Sequence, residues 1–279
     1  MKSAQNDFFD THSVLYPFPK LLIEEGFSKV FKLRDLKNKN YLDFLDLKKE
    51  SKLLEVGCGD GVFLKRIVKT YKAKAWGIDI SSNSIRRAKI DDEQKIKFRV
   101  ADATKIPFPK NSFDNIICFD TLEHIKDQNK VIEEMIRVLK PGGKLLLFTI
   151  NRNQKYTWNY WMDKIGIDIY RGYDHDPKLF LDSNNTVNLL NKSGMKILKV
   201  ELYNGFFTLE ADEVIMVSIL ILSKMKIFAK LPETGVLARF IISVLNIKSR
   251  LLLPVLEKLD IPWIKNGKSN GFFIVAQKL

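Results

Sequence analysis

Three glycines at alternate positions, Gly57, Gly59 and Gly61, stand within the stretch Glu55-Val-Gly-Cys-Gly-Asp-Gly61. Glycine accepts positive φ and carries no Cβ, so such a turn lets a ligand come close to backbone N–H groups. A dinucleotide fingerprint would read G-x-G-x-x-G and seat a pyrophosphate on a helix N-terminus. Here the spacing differs, and Glu55 and Asp60 would repel a pyrophosphate, so a cationic or zwitterionic ligand fits better. Eighteen residues past Gly61, the apolar run Ala73 to Ile78 ends in Asp79, where a carboxylate can accept both hydroxyls of a ribose. Ile96 to Val100 ends in Ala101-Asp102, which supplies another acceptor.

These groups need elements that bring them together. Lys52 to Val56 reads as a buried strand, and a helical pattern (Val62, Phe63, Ile67, Val68) follows the glycine turn at once. The reading continues with helix 61–71, strand 74–79, helix 82–91, strand 96–101, strand 114–119, helix 127–139 and strand 144–150. Ser81 is placed to cap its helix, and Pro141-Gly142-Gly143 to stop the last helix and start its strand. Such alternation predicts a parallel sheet with helices on both faces, and ligands of such sheets bind at the carboxyl edge of the strands. The glycine turn, Asp79 and Asp102 all fall on that edge.

The chain resembles the class I S-adenosylmethionine-dependent methyltransferases. The resemblance rests on Glu55-Val-Gly-Cys-Gly-Asp-Gly61, Gly77-Ile-Asp-Ile80, Ala101-Asp-Ala103, Pro107-Phe-Pro-Lys-Asn-Ser-Phe-Asp114 and Leu139-Lys-Pro-Gly-Gly143, and covers roughly residues 45 to 202 plus the last strand. A lone Gly-rich turn is a weak signal, whereas five segments in order are a strong one. The resemblance implies an α/β fold, a Rossmann-like doubly wound seven-stranded sheet with an N-terminal helical cap and a helical insertion before the last strand. It implies that Gly57, Gly59 and Gly61 line the methionine end of S-adenosyl-L-methionine, that Asp79 holds the ribose and that Asp102 faces the adenine amine. Glu55, Cys58, Ile80, Ala103 and Phe119 complete the expected cofactor-binding set.

The fourth strand leads into Asp120-Thr-Leu-Glu-His-Ile125, at the edge where the transferable methyl would sit. A subset of the family, the ubiquinone-pathway O-methyltransferases, shows an acidic-x-x-Glu-His pattern that holds a divalent metal near a phenol. Asp120, Glu123 and His124 repeat that pattern with Asp where the subset usually has Glu, which makes Mg²⁺ an expected second cofactor. Two carboxylates and an imidazole are reasonable divalent-metal ligands, and a metal would lower the pKa of a bound hydroxyl. Helix capping and hydrogen bonding are the structural alternative. His175, in Asp174-His-Asp-Pro177, resembles a family histidine near the substrate, and its flanking carboxylates are expected to favour the protonated ring. His124 and His175 are therefore the candidate general bases.

Other motifs are missing. Phe119-Asp120-Thr121-Leu122 stands where exocyclic-amine methylation would show Asn/Asp-Pro-Pro-Tyr/Phe, and Cys118 precedes the strand end, where it reads as a packed residue. The charge of +13 is spread along the 279 residues with no basic block, which reads as solvated surface and makes a nucleic-acid partner a poor fit. An anionic membrane surface or anionic substrate stays open as an alternative. The two cysteines lack disulfide or metal-site spacing, which suits a reducing compartment. With Asp7 and Asp10 near the start, no apolar signal region and no stretch near ~20 apolar residues, the expectation is a cytoplasmic protein.

The expected organisation is a helical cap over 1–45, a methyltransferase core over 46–205, an insertion over 206–268 and a last core strand over 269–279. Within the cap, His12 and Tyr16 are candidates to face substrate, or simply polar positions on a packed helix. Within the core, 151–177 holds Tyr156, Trp158, Tyr160, Trp161, Tyr170 and Tyr173, rings that can wall a substrate pocket or pack a lid, with packing the expectation for most of them. About 68 residues separate the sixth strand (Met195 to Leu202) from the seventh (Gly271 to Gln277). This is the main departure from the family. Helices are expected over 211–229 and 234–250, with a shorter one up to Pro262; Arg239, Ser243, Asn246 and Arg250 form a narrow polar stripe on an otherwise apolar cylinder. Such a cylinder must be covered by a lid, a homodimer interface or a peripheral membrane contact. The functional expectation is methyl transfer to a small hydrophobic acceptor, favouring oxygen. Carbon or nitrogen methylation of a lipid, quinone or sugar precursor is the alternative, as is a non-catalytic cofactor-binding or membrane-docking module.

Overall fold

A computed structural model of the chain describes residues 41–90, 96–166, 175–203, 205–208 and 255–279. Seven strands form one sheet: β1 Lys52–Val56, β2 Lys74–Asp79, β3 Lys97–Val100, β4 Phe113–Phe119, β5 Leu139–Ile150, β6 Met195–Tyr203 and β7 Gly271–Lys278. Their order is β3-β2-β1-β4-β5-β7-β6. All neighbours are parallel except β7, which runs antiparallel to both β5 and β6. β1 pairs with β2 on one side and β4 on the other, so the strand order reverses there and a crevice opens at its carboxyl end.

The helices are α1 Val62–Tyr71, α2 Ser82–Ala88, α3 Gln128–Val138, α4 Trp158–Lys164 and α5 Ser183–Lys192, with α6 over 255–265. Strand alternation sends Leu54, Val56, Ile116, Cys118, Leu145 and Leu147 to one face, where they pack on Val131, Ile132 and Met135 of α3. Leu53, Ile117, Leu146 and Phe148 face the other way, onto Leu64, Ile67 and Val68 of α1 and Ile85 of α2. Both faces are covered, which is why these strands read as continuous apolar runs. Each fully buried aliphatic chain contributes roughly 1.5–3 kcal/mol. At one rim of the second cluster, Tyr41 stacks on Phe273 of β7 with ring centroids 4.1 Å apart.

The caps explain the helix starts. Ser81 Oγ accepts from Ser84 N at 3.1 Å and Asp127 Oδ1 from Lys130 N at 3.2 Å, while α1 begins at Gly61 with φ +74°. Most boundaries shift by a residue or so from expectation, and the largest differences concern α2, α3 and β5. α2 ends at Ala88, and α3 ends at Val138 because Leu139 already pairs with Phe113. The register then shifts between Phe113 and Asn115, so Pro141-Gly142-Gly143 lies within β5 as a bulge instead of preceding the strand. The cap up to residue 40, with His12 and Tyr16, the expected helices 211–229 and 234–250, and Tyr170, Tyr173 and Asp174 lie outside the described residues. The shorter helix of the insertion is α6, which runs past Pro262.

Candidate functional site

β1 ends in the glycine turn, whose three glycines all have positive φ: +76° at Gly57, +51° at Gly59 and +74° at Gly61. Only two of them are packed closely. A Cβ on Gly57 would lie 2.1 Å from Thr121 Oγ1 and one on Gly61 2.5 Å from the Phe98 ring, whereas one on Gly59 would meet nothing within 4 Å. Gly59 is thus the position that faces open space. The N–H groups of the turn point inward: Gly57 and Cys58 donate to Ile78 O at 2.8 and 3.0 Å, and Gly61 donates to Cys58 O at 2.9 Å. Gly59 N donates to Asp79 Oδ2 at 2.8 Å. This corrects the expectation that these N–H groups serve a ligand. The turn spends them on its own shape, and the oxygen available to a ligand there is that of the side chains around it.

That oxygen is concentrated in carboxyl groups. Glu55 is 4% exposed, and its Oε2 has no hydrogen-bond partner among the described residues. Burial, then the charges of Asp79 and Asp60, push its carboxyl well above the usual carboxylate range. Asp79 is also raised, chiefly by burial, although it accepts from Gly59 N and, through Oδ1, from Ser81 N at 2.9 Å. Each of its oxygens retains a second lone pair for a diol. Carboxyl groups clustered in this way, one of them buried, gain from the arrival of a cation. Ile80 beside it is 42% exposed, an apolar surface fit for a flat ring.

The remaining expected residues divide by environment. Asp102 Oδ1 accepts from Thr104 N and Thr104 Oγ1, both at 2.8 Å, so one oxygen caps the 3-10 turn that starts at Ala103. Phe119 packs on Phe63 with centroids 5.0 Å apart. Cys58 and Cys118 are buried thiols with pKa values raised by burial, and Cys58 Sγ sits where a Cβ on Gly77 would go, at 2.8 Å.

Beyond β4 the chain turns at Asp120, an exposed residue in the left-handed region with φ +46°, into a 3-10 turn over Leu122–His124. Glu123 is fully buried and accepts from Thr149 Oγ1 at 2.8 Å. The His124 ring stacks on His175, centroids 4.6 Å apart and planes 19° from parallel. Glu123, His124 and His175 each present a ligand atom within 4.8 Å of the others, and Asp120, expected with them, is outside that group. This donor set is a poor match for Mg²⁺, which prefers octahedral oxygen. These residues therefore do not fit the expected Mg²⁺.

The expected protonation of His175 is corrected as well. Asp176 turns away to cap the 3-10 turn over Pro177–Leu179, its Oδ1 accepting from Lys178 N at 3.0 Å. Burial first and the charge of His124 second lower the His175 pKa to about 3, so the ring is neutral at pH 7.

Two of the aromatic rings expected over 151–177, Tyr156 and Trp161, meet partners that the sequence reading did not name. Tyr156, Trp161, Phe206, Phe207 and Trp263 line a cavity of about 490 Å³, with Pro262, Asn266 and Lys268 at its margin. Buried Asp260 of α6 holds it together, accepting from Gly205 N at 3.1 Å, Phe207 N at 2.8 Å, Thr208 N at 3.0 Å and Thr208 Oγ1. The available signal was the aromatic content of 156–161 and 206–207, whose closure by Trp263 is a tertiary event.

Known proteins agree with this geometry. Residues 54–147 match the family model described as a methyltransferase domain. The chain is 38% identical over 120 residues to phosphoethanolamine N-methyltransferase 3 of Arabidopsis thaliana, covering 42% of this chain and 24% of that one. It is 30% identical over 152 residues to the ubiquinone biosynthesis O-methyltransferase of Coxiella burnetii, covering 53% and 64%. The chain thus spans less than two thirds of either relative. In three dimensions it superposes on a Haemonchus contortus phosphoethanolamine N-methyltransferase 2 in complex with S-adenosyl-L-methionine, with TM-score 0.61, 20% identity, and 99% of this chain and 60% of that one covered. An acid-lined glycine turn at the switch point of a 3-2-1-4-5-7-6 sheet, under a matching family model, identifies residues 54–147 as a class I S-adenosylmethionine-dependent methyltransferase domain.

Proposed function

We propose that the protein transfers a methyl group from S-adenosylmethionine to an oxygen of a small, hydrophobic acceptor. The observation that carries the donor half is the cluster of carboxyl groups at the glycine turn, buried Glu55 with half-buried Asp60 and Asp79. When bound, the donor supplies an already activated sulfonium methyl, so the chain's task is alignment, which can be worth roughly 7–11 kcal/mol. Asp79 orients the ribose, Asp102 the adenine edge, and open space over Gly59 admits the methionine end.

The acceptor half rests on the His124–His175 stack. A base with pKa near 3 is mismatched to a hydroxyl at neutral pH, so His175 remains neutral and positions, while His124 takes the acceptor proton. Glu123, anchored by Thr149, lies beside that ring and favours the imidazolium that forms. Membrane contact and a homodimer through the insertion remain part of the proposal, on the apolar, lysine-bearing helices expected there from the sequence; among the described residues no helix is long and apolar enough to cross a membrane.

Incubation with isotope-labelled donor and cell metabolite or lipid extract, read by mass spectrometry, names the acceptor and the atom methylated. We expect His124→Ala to lower turnover about 10²–10⁴-fold, the usual worth of a general base, with donor affinity by calorimetry unchanged. Full turnover in that variant, or a product methylated on nitrogen or carbon, would remove the O-methylation reading.

A further inference from the structure

The aromatic cavity is separate from the donor crevice yet tied to the same sheet edge. Thr149, the partner of Glu123, is followed two residues on by Asn151, whose side chain donates to Ser269 Oγ at 3.0 Å and Gly267 O at 3.3 Å. Asn151 N donates to Asn270 O at 2.8 Å. Two residues of extended chain span roughly 7 Å, so the histidine stack and the segment carrying Lys268 are joined by one short stretch of β5 and its continuation. The cavity is also fixed in shape. Trp263 Nε1 donates to Tyr156 O at 2.8 Å, Phe206 stacks on Trp263, and Asp260 clamps the 205–208 turn beneath them.

Its chemistry discriminates among occupants. An aromatic cage suits a quaternary ammonium when its ring faces are vacant. Here the Tyr156 ring already carries two ammonium groups, Lys268 Nζ at 4.5 Å and Lys155 Nζ at 5.1 Å from the centroid. A cationic ligand would meet like charge at the rim, whereas an anionic head would pair with it. The volume of about 490 Å³ falls in the range of small-molecule pockets. We propose that this cavity holds the apolar body of an anionic amphiphile, an acyl or prenyl chain bearing a carboxylate or phosphate, with Lys268 and Lys155 receiving the head.

The proposal goes beyond the function above, and binding does not depend on it. Full-length protein is titrated with dodecanoate, dodecyl phosphate and dodecyltrimethylammonium below micelle formation, following tryptophan fluorescence, beside calorimetry with S-adenosylmethionine. Saturable binding of the two anions at least tenfold tighter than the cation is expected, with Lys268→Glu erasing or inverting that order and Phe207→Leu weakening all three. Equal or tighter binding of the cation, or an unchanged order in Lys268→Glu, overturns the proposal. Should Phe207→Leu fail to fold, the Lys268→Glu comparison decides alone. A protein that binds S-adenosylmethionine but neither anion sinks this inference and leaves methyl transfer standing; one that binds the anions but not the donor does the reverse.

Discussion

At Glu55 the fold keeps a carboxyl group in a place where losing its proton is costly, and a bound sulfonium and ammonium would reverse that balance. Donor binding should therefore release protons. Calorimetry in two buffers of different ionisation enthalpy measures the release, and Glu55→Gln should reduce it toward zero. The glycines should separate by what surrounds them. Gly59→Ala has only the left-handed backbone to tolerate, roughly 1–2 kcal/mol, and should fold while losing donor affinity. Gly57→Ala adds a collision with Thr121 and should lose much more stability, as denaturant titration would reveal. His175 carries a pH signature. Its folded pKa lies below the ordinary 6.5, so its stabilising effect is complete above 6.5 and is lost as pH falls from 6.5 toward 3, where the unfolded chain takes up a proton that the folded ring refuses. His175→Gln should flatten stability across that window relative to the parent chain.

Among the elements, the segment between β3 and β4 has little regular structure, and its middle is held by an ion pair on α3. Arg137 of α3 donates to Ile106 O at 2.8 Å and Phe108 O at 2.9 Å, and pairs with Glu134, which accepts from Ile106 N at 2.8 Å. The Glu134 carboxyl is held below the usual range mainly by its hydrogen bond to Arg137. Arg137→Ala should cost about 1–3 kcal/mol by leaving those groups without partners, read as a lower denaturant midpoint. This is also where legibility in the sequence ends. Strands such as Leu53 to Val56 and Leu145 to Ile150 are apolar because both faces are covered, so their pattern and order were readable. The β5 bulge was not, since Leu139 pairs with Phe113 across the sheet while Pro141-Gly142-Gly143 reads locally as a turn. Likewise, no local pattern could tell that His175 would stack on His124 and become neutral, or that Trp263 would close on Phe206 and Tyr156. Those facts belong to residues 51 to 107 positions apart.

For the molecule as a whole, donor binding should act as a global stabiliser. At a donor concentration 100 times Kd the linkage is about 2.7 kcal/mol, so the unfolding midpoint should rise by several degrees with S-adenosylmethionine. Asp79→Ala, which loses a charged acceptor for the ribose and the clasp on Gly59 N, should abolish that rise in a thermal-shift assay. The order of the sheet has a further consequence for how the chain is made. β7 is synthesised after β6 yet inserts between it and β5, contributing six consecutive buried residues, Gly271 to Ala276. Until those residues leave the ribosome, β5 presents a bare hydrogen-bonding edge and β6 has nothing to dock on. The nascent protein must therefore wait, half-sheeted and open to mispairing, for a strand encoded near the end of the sequence to lock both sides at once.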